Sequence, residues 1–356
     1  MTISKRKLEH TKICLEKKVE ASNTGFNDIN FQDIDFIHQA LPEINLEDID
    51  LTGEFLGKRL SAPLIISALT GGATEVERIN KNLAKAAQSS GIALGVGSQR
   101  AAIEDSALER TYQVRDVAPD ILLIANLGIV QFNKGYGIAE AKKVIDMIGA
   151  DAIALHLNAL QEVCQLEGDT DWKGCLGKIE QICSRLDKPV IVKETGAGIT
   201  KEIAQQLEQI GVAAIDVSGS GGTSASLVEN YRKSAIGKTF KDWGIPTAIS
   251  LIEVKSVVKV PVIASGGVRS GIDIAKSLAL GADLVGIALP FLKPATISGK
   301  AVELKLQQLV KELKATIFLV AAKDLSQLRQ KPIVISGKTK EWLEARGISV
   351  KEICQR

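Results

Sequence analysis

The strongest constraint on the fold is a repeated unit in which a helical stretch ends at a glycine and a short apolar run follows. The unit recurs along the chain, for example where Gly149 precedes 152–157 and Gly211 precedes 213–218. Glycine accepts the left-handed conformation that commonly ends a helix. The runs are continuous rather than alternating, which is typical of parallel strands buried on both faces. They occupy 62–67, 92–97, 121–126, 152–157, 189–193, 213–218, 261–265 and 284–289.

Eight such units without a second family of strands predict an α/β fold, a (β/α)8 TIM barrel over 61–295. We expect 1–60 to be an N-terminal extension that contributes to a substrate site. We expect 296–356 to be a C-terminal helical extension packed on the barrel. A doubly wound sheet is the alternative, but it usually has fewer units and a GxGxxG turn after its first strand, whereas this chain has LTGGAT at 69–74.

The spacing of apolar residues places three helices, at 200–210 with Thr200 as the N-cap, at 271–280 and at 299–322. Apolar side chains that share one face of a helix are expected to pack on the core. These side chains are Ile203, Leu207 and Ile210 in the first helix, Ile272, Ala275 and Leu278 in the second, and Val302, Leu306, Leu309, Leu313 and Ile317 in the third.

Composition excludes several classes of partner. The 44 Lys and Arg against 42 Asp and Glu give a net charge of +2, and aromatic residues make up 4%, which argues against binding nucleic acid. No apolar run reaches the ~20 residues of a membrane span and the start has no apolar signal segment, so we predict a cytoplasmic protein without a membrane partner. Five cysteines without a CxxC pair and only three histidines indicate reduced thiols and argue against zinc.

Polar residues follow most of the apolar runs, where the active sites of such barrels lie. After the seventh run, SGGVRSG at 265–271 leads directly into a predicted helix. Glycine lets a phosphate approach the backbone, and a helix N-terminus supplies free N–H groups. With GIALP at 286–290, this turn predicts a phosphate site; a tight turn that only needs glycine for its backbone is the alternative.

Two further positions carry charge or proton-transfer groups into the predicted barrel mouth. Lys193 ends an apolar run, so its ammonium could be a fixed positive charge beside an anionic ring such as a reduced flavin, or could form a Schiff base. His156 and Asn158 alternate at the end of the fourth strand, so both can point into the mouth. Gln161 and Glu162 follow, and Glu162 could bind Mg²⁺ together with substrate phosphates.

Several motifs are distinctive when taken together. They are RKLEH at 6–10, SALTGG at 67–72, GSQR at 97–100, HLNALQE at 156–162, EGD at 167–169, VKETGAG at 192–198, SGGT at 220–223 and ASGGVRSG at 264–271. With them the chain resembles the type 2 isopentenyl-diphosphate isomerases, an FMN-dependent family, over nearly its whole length. One departure is Leu166, which stands before EGD where this family is expected to have proline.

The resemblance implies an interconversion of isopentenyl and dimethylallyl diphosphate that uses reduced FMN and Mg²⁺, with NADPH as the reductant, in a homotetramer or larger homo-oligomer. It implies that Gln161 and His156 are catalytic and that Glu162 holds the metal. The FMN-binding residues that it implies are Ala68, Leu69, Thr70, Ser98, Asn126, Lys193, Thr223, Gly266, Gly267, Val268, Arg269, Ala288 and Leu289. Those implied for the diphosphate substrate are Arg6, Lys7, His10, Ser98, Gln99, Arg100, His156, Asn158 and Gln161.

The chemistry of the residues agrees with this expectation. A diphosphate requires several cations, and an alkene isomerisation adds one proton and removes another without net redox change. The mouth offers no strong acid, so reduced FMN is the hypothesised group that stabilises the cation and moves the proton. An FMN-dependent hydroxy-acid oxidoreductase and a non-catalytic flavin-binding barrel are the alternatives. The first would need a histidine base, and 218–260 contains no histidine. Inosine-phosphate-type dehydrogenases would need a cysteine, and 212–260 contains none.

Overall fold

The computed structural model describes residues 3–21 and 30–355, and its centre is a closed barrel of parallel strands. The strands β4 to β11 follow one another around the barrel in chain order, and β11 pairs with β4 to close it. The predicted (β/α)8 barrel is therefore confirmed. In chain order the strands are β1 (Ile34–Phe36), β2 (Gly53–Phe55), β3 (Lys58–Leu60), β4 (Leu64–Ile66), β5 (Ala93–Gly95), β6 (Leu123–Gly128), β7 (Ala152–His156), β8 (Val190–Lys193), β9 (Ala214–Asp216), β10 (Val262–Ser265), β11 (Leu284–Ile287) and β12 (Ile333–Ile335).

Helices surround the barrel and cover its outer face. The predicted glycine stops are present: α2 and α4 end at Gly91 and Gly149, both left-handed with a φ of 61°. The helices are α1 (Ile3–Glu16), α2 (Glu77–Ser90), α3 (Arg100–Glu104), α4 (Ile138–Ile148), α5 (Ala159–Cys164), α6 (Cys175–Arg185), α7 (Lys201–Gln209), α8 (Ala225–Tyr231), α9 (Thr247–Lys255), α10 (Gly271–Ala279), α11 (Leu289–Ile297), α12 (Gly299–Leu319), α13 (Leu325–Arg329), α14 (Gly337–Ala345) and α15 (Val350–Cys354).

Two apolar cores lie on the two sides of the barrel wall. The inner core contains strand residues such as Ile65, Ile191 and Ile263, and the hairpin of β2 and β3 adds Phe55 and Leu60 to it. Because the hairpin immediately precedes β4, it closes the end of the barrel where the strands begin. The larger core fills the space between strands and helices. A ligand can therefore enter from the opposite end, where the strands finish.

Helix placement was predicted better than helix orientation. Thr200 caps α7 as expected, because its hydroxyl accepts a hydrogen bond from the Ile203 amide. The predicted burial is wrong for two residues, however, because Ile203 is 40% exposed and Ile272 on α10 is 49% exposed. Ala204 and Ile274 are buried instead, since each helix is turned so that a neighbouring row of side chains faces the barrel.

The C-terminal extension packs on the barrel mainly through α12. All five residues of its predicted apolar face are buried, and the helix contacts α2 and α10. The extension is not entirely helical, since β12 pairs antiparallel with β1 of the N-terminal extension. Strand β12 is only three residues long, which is too short for the sequence pattern to have identified it.

None of the helices in the described ranges combines the length and apolar character that crossing a bilayer requires. The cysteines at 14, 164, 175, 183 and 354 are free thiols. Burial raises the pKa of Cys14 and that of Cys183 to about 11, so neither is a thiolate near neutral pH. These thiols supply no nucleophile for the chemistry considered below.

We predict that Leu309→Ala lowers the free energy of unfolding by about 2–5 kcal/mol, because Leu309 is fully buried on α12 and its truncation leaves a cavity. Leu304 on the same helix is 56% exposed, so Leu304→Ala should change stability by no more than about 0.5 kcal/mol. Urea unfolding of both variants measures the difference. Equal losses would contradict the assignment of the buried face.

Candidate active site

A cavity of about 350 Å³ lies where the barrel strands end, and α1 contributes to its wall. The structure brings almost all of the predicted site residues to this cavity. Those that line it are Arg6, Lys7, His10, Ala68, Leu69, Thr70, Ser98, Arg100, Asn126, His156, Asn158, Gln161, Glu162, Lys193, Thr223, Gly266, Gly267, Val268, Arg269, Ala288 and Leu289.

Gln99 is the exception. Its side chain is fully buried in the barrel wall. There Nε2 donates to the Val144 carbonyl at 2.9 Å, and Oε1 accepts from the backbone N–H of Asn126 at 3.0 Å. The polar groups of the side chain are thus used by the backbone of neighbouring elements. This placement contradicts the predicted substrate contact: Gln99 supports Asn126 rather than lining the cavity.

The glycine turn after β10 has the shape that the sequence predicted for a phosphate site. Gly266 and Gly267 have φ values of 102° and 75°, and a Cβ on Gly266 would lie 2.1 Å from the Gly219 carbonyl oxygen. Helix α10 then begins with a capping box, in which Asp273 accepts from the amides of Arg269 and Ser270. Asp273 and Glu312, which accepts from the Gly271 amide at 2.7 Å, thus occupy N–H groups that the sequence analysis expected to be free, and the phosphate site stays a prediction for the glycine part of the turn.

Two residues that the sequence analysis missed hold this turn in place. Thr247 at the start of α9 donates its hydroxyl to the Gly266 carbonyl at 2.7 Å, and Asn30 Nδ2 donates to the same oxygen at 3.2 Å. Asn30 also accepts from the Ala248 amide. Neither residue belongs to a recognisable motif, and only the fold brings them to the turn.

Lys193 lies at the cavity floor beside a buried carboxylate. Its Nζ donates to the Glu194 carbonyl at 2.8 Å, and Lys193 is directly opposite Asp216 in the pairing of β8 and β9. Burial lowers the pKa of Lys193, and the charges of Asp216 and Glu194 oppose that effect. Ser265 donates its hydroxyl to Asp216 at 2.7 Å. This opposing carboxylate favours the fixed-charge interpretation over a neutral amine that could form a Schiff base.

His156 is held as a neutral imidazole in one tautomer. The Asn126 amide is oriented because Nδ2 donates to the Val96 carbonyl, so Asn126 Oδ1 is the atom that faces His156 Nδ1 at 2.7 Å. Burial, together with the charges of Lys193 and Lys7, lowers the pKa of His156 to about 3. Nδ1 therefore carries the proton and donates a hydrogen bond to Asn126 Oδ1, which leaves Nε2 as an acceptor.

Asn158 and Glu162 form a connected pair at the end of β7. Asn158 Nδ2 donates to Glu162 Oε1 at 2.8 Å, and the Asp169 amide donates to Glu162 Oε2 at 2.8 Å. Asn158 Oδ1 is buried and has no partner within the described ranges. Among residues 3–21 and 30–355, no group of three or more His, Cys, Asp and Glu residues is arranged to hold a metal. Glu162 could therefore bind a cation only alongside ligands that the substrate or water supplies.

Helix α1 carries the RKLEH motif directly over the cavity. Lys7 Nζ donates to the Ser98 carbonyl at 2.5 Å and lies 3.3 Å from the Tyr112 hydroxyl. The hydroxyls of Thr11 and Thr70 are hydrogen-bonded at 3.1 Å. These contacts attach the N-terminal helix to the loops after β4 and β5.

Three cations converge at this side of the cavity. Burial, followed by the charges of Arg6 and Arg100, lowers the pKa of Lys7 to about 7. Arg100 also lines the cavity, and it pairs through Nε with Glu104 at 2.9 Å and through Nη1 with Asp169 at 3.5 Å. A bound polyanion would relieve the repulsion between these cations, so the arrangement is suited to a diphosphate.

A buried carboxylate connects two other predicted residues. Gln161 Nε2 donates to Glu229 Oε1 at 3.4 Å, and His10 Nε2 lies 3.0 Å from the same oxygen. Glu229 is on α8, within the long connection after β9. No motif in the sequence selects Glu229, and only the fold brings it to Gln161 and His10.

Comparison with known proteins shows which family the chain belongs to. Residues 140–335 match a family model described as FMN-dependent dehydrogenase. The chain is 47% identical to the isopentenyl-diphosphate delta-isomerase of Methanosarcina mazei, covering 99% of this chain and 97% of that protein. It is 49% identical to the protein of that name from Pyrococcus furiosus, covering 99% and 91%. The chain belongs to the isopentenyl-diphosphate delta-isomerase family.

Solved structures show how widely the barrel of this isomerase family member is shared. A flavocytochrome b2 mutant superposes with a TM-score of 0.69 at 19% identity, covering 96% of this chain and 85% of that one. A lactate oxidase from Pediococcus acidilactici gives 0.66 at 19% identity, covering 89% and 88%. At this identity the likeness concerns the fold alone.

We predict that the affinity of the cavity for sulfate falls as the pH rises through about 7. Anion binding favours the charged form of Lys7, so above the Lys7 pKa of about 7 binding must take up a proton and becomes weaker. Calorimetry in two buffers of different ionisation enthalpy measures that proton. Lys7→Met should remove the proton uptake and much of the pH dependence. An unchanged pH profile in this variant would assign the effect to another group.

Proposed function

We propose that the chain interconverts isopentenyl diphosphate and dimethylallyl diphosphate in isoprenoid biosynthesis, with reduced FMN and Mg²⁺ and without net redox change. The proposal rests on one observation: the cations of RKLEH and the polar residues of HLNALQE line the same cavity as a glycine turn suited to phosphate. The family relationship supports the proposal, because the relatives are named for this reaction and match this chain over nearly their whole length.

The cavity fits FMN. Gly266 and Gly267 line the cavity without side chains of their own, so the FMN phosphate would approach the backbone of the turn there. Lys193 provides a positive charge for an electron-rich ring, and the buried Ser67 hydroxyl has no partner among the residues described. The remaining residues that would hold FMN are Ala68, Leu69, Thr70, Ser98, Asn126, Thr223, Val268, Arg269, Ala288 and Leu289. Reduced FMN supplies an electron-rich ring that can stabilise a developing cation and exchange a proton.

The substrate diphosphate would be bound by the cations at the α1 side. Arg6 and Arg100 offer planar sets of donors that match phosphate oxygens, and Lys7 becomes fully charged when an anion is present. His10, Ser98, His156 and Asn158 would complete the binding site. Helix α1 covers the cavity through its contacts with Ser98 and Thr70, and so excludes water from the reacting carbons.

Gln161 and His156 are the side chains that we assign to the reaction. Glu229 orients the Gln161 amide at the cavity wall, where it would position the isoprenyl carbons. His156 exposes an unprotonated Nε2 and, with a pKa of about 3, it cannot be the acid that protonates the alkene. Its role would be to accept a hydrogen bond at Nε2.

Glu162 would hold Mg²⁺ together with the diphosphate. Each carboxylate oxygen has more than one lone pair, so the bonds from Asn158 and Asp169 leave capacity for a metal. Mg²⁺ commonly takes one or two carboxylates and completes its octahedron with phosphate and water. NADPH as reductant, a homotetramer or larger assembly and a cytoplasmic location remain predictions.

The hydroxy-acid oxidoreductase alternative is less well supported. The oxidases among the solved structures share the barrel at 19% identity or less, and residues 218–260 lack the histidine base that such a reaction would use. A non-catalytic flavin-binding barrel would not need the oriented pairs Asn158–Glu162 and Gln161–Glu229.

The test is an anaerobic assay with FMN, NADPH, Mg²⁺ and isopentenyl diphosphate in D₂O, followed by proton NMR. We expect dimethylallyl diphosphate that contains deuterium, and we expect its formation to stop when the flavin is oxidised or Mg²⁺ is removed by a chelator. A protein that binds flavin but produces no dimethylallyl diphosphate would exclude the proposed activity.

Gln161→Ala should lower kcat by about 10²-fold or more, because the substrate carbons lose a positioning contact. Gln205 on α7 is exposed on the outside of the barrel, so Gln205→Ala is the matched control and should retain full activity. Both variants should bind FMN as the parent does. Full activity in Gln161→Ala would remove this residue from the mechanism.

A further inference from the structure

Arg232, directly after α8, is a nearly buried cation that contacts carboxylates from three parts of the chain. Its Nε donates to Glu9 on α1 at 3.0 Å, its Nη2 to Glu167 after α5 at 2.8 Å, and its Nη1 to Glu229 on α8 at 2.5 Å. The Arg232 side chain is 5% exposed. No motif in the sequence selects this arginine, and it does not line the cavity.

Two of these carboxylates also approach side chains assigned to the diphosphate, Arg6 and His10. Glu167 Oε1 is 2.8 Å from Arg232 but 3.7 Å from Arg6. Glu229 shares its oxygens in the same way, with Oε2 at 2.5 Å from Arg232 and Oε1 at 3.0 Å from His10. In both cases Arg232 is the closer partner, and the substrate-side cation is the more distant one.

We propose that Arg232 is a positioning residue that neutralises these glutamates and thereby keeps Arg6 and His10 available to the substrate diphosphate. Without Arg232, the carboxylates of Glu9, Glu167 and Glu229 would lose the guanidinium that all three contact. Glu167 and Glu229 would then hold Arg6 and His10 more closely than they do now, because a carboxylate that loses one partner strengthens the contacts that remain. The field at the cavity would also become less positive, which weakens anion binding.

The same side chain orders the cavity wall. Through Glu9 it connects α1 to α8, and through Glu229 it fixes the carboxylate that orients Gln161. Three planar donor directions are used at once, and only a guanidinium can supply them. A lysine at this position would keep the charge but could not hold all three carboxylates.

This inference rests on the proposed function for its substrate, so the test includes a probe that needs no turnover. In Arg232→Gln we expect the KM for isopentenyl diphosphate and the Kd for inorganic pyrophosphate, both measured on the FMN-loaded enzyme, to rise about tenfold. We expect kcat to fall by less than in Gln161→Ala, because Gln161 is retained and only the carboxylate that orients it loses a partner. Arg232→Lys should give a smaller rise in both constants, and it serves as the test if the glutamine variant does not fold.

The decisive variant removes the competing carboxylate. If Arg232 acts by neutralisation, the double variant Arg232→Gln with Glu167→Gln should recover at least about threefold of the lost pyrophosphate affinity, because Arg6 is no longer drawn away. A purely structural role predicts no recovery. Arg346→Gln is the control: Arg346 also pairs with two glutamates, Glu202 and Glu253, but it does not line the cavity, so KM and Kd should stay unchanged.

Wild-type KM and Kd in Arg232→Gln would overturn the inference, as would a rise in both that Glu167→Gln does not reverse. Failure of the proposed function looks different. In that case the parent and Arg346→Gln would both fail to convert isopentenyl diphosphate, while pyrophosphate binding would still depend on Arg232 and be recovered by Glu167→Gln.

Discussion

The pairing of β11 with β4 is the interaction on which the rest of the molecule depends. It closes eight parallel strands into a barrel, so that every strand finishes on the same face. Polar residues from distant parts of the sequence, such as Asn126, His156 and Lys193, therefore meet in one cavity. The hairpin of β2 and β3 fills the opposite end, which leaves this face as the one where chemistry can occur.

The barrel supplies the floor of the site, whereas its electrostatic character comes from elements added to it. Helix α1 brings Arg6, Lys7 and His10 above the floor, and α8 brings the buried Glu229. Burial lowers the pKa of Lys7 to about 7, and the charges of Arg6 and Arg100 add to that effect, so an anion bound beside Lys7 would favour its charged form. The distribution of charge thus points to a polyanionic substrate independently of any family relationship.

The sequence predicted the barrel, its strands and nearly all cavity residues because these depend on local signals: continuous apolar runs, glycine stops and polar residues at strand ends. It failed where tertiary packing decides. Ile203 and Ile272 belong to apolar rows but face solvent, and Gln99 lies in a cavity motif but points into the wall. Asn30 and Arg232 support the site from segments without a motif, and only the three-dimensional fold brings them there.

The pairing of β1 with β12 has a consequence for how the active site is assembled. Ile34 and Ile335 are neighbours in this small sheet although they come from nearly opposite ends of the chain. During synthesis β1 emerges early and must wait for β12, so this part of the N-terminal extension pairs only when the C-terminal extension has been made. Helix α1 is attached separately, through Ser98 and Thr70 after β5 and β4, so the diphosphate-binding side can be complete before β1 finds its partner.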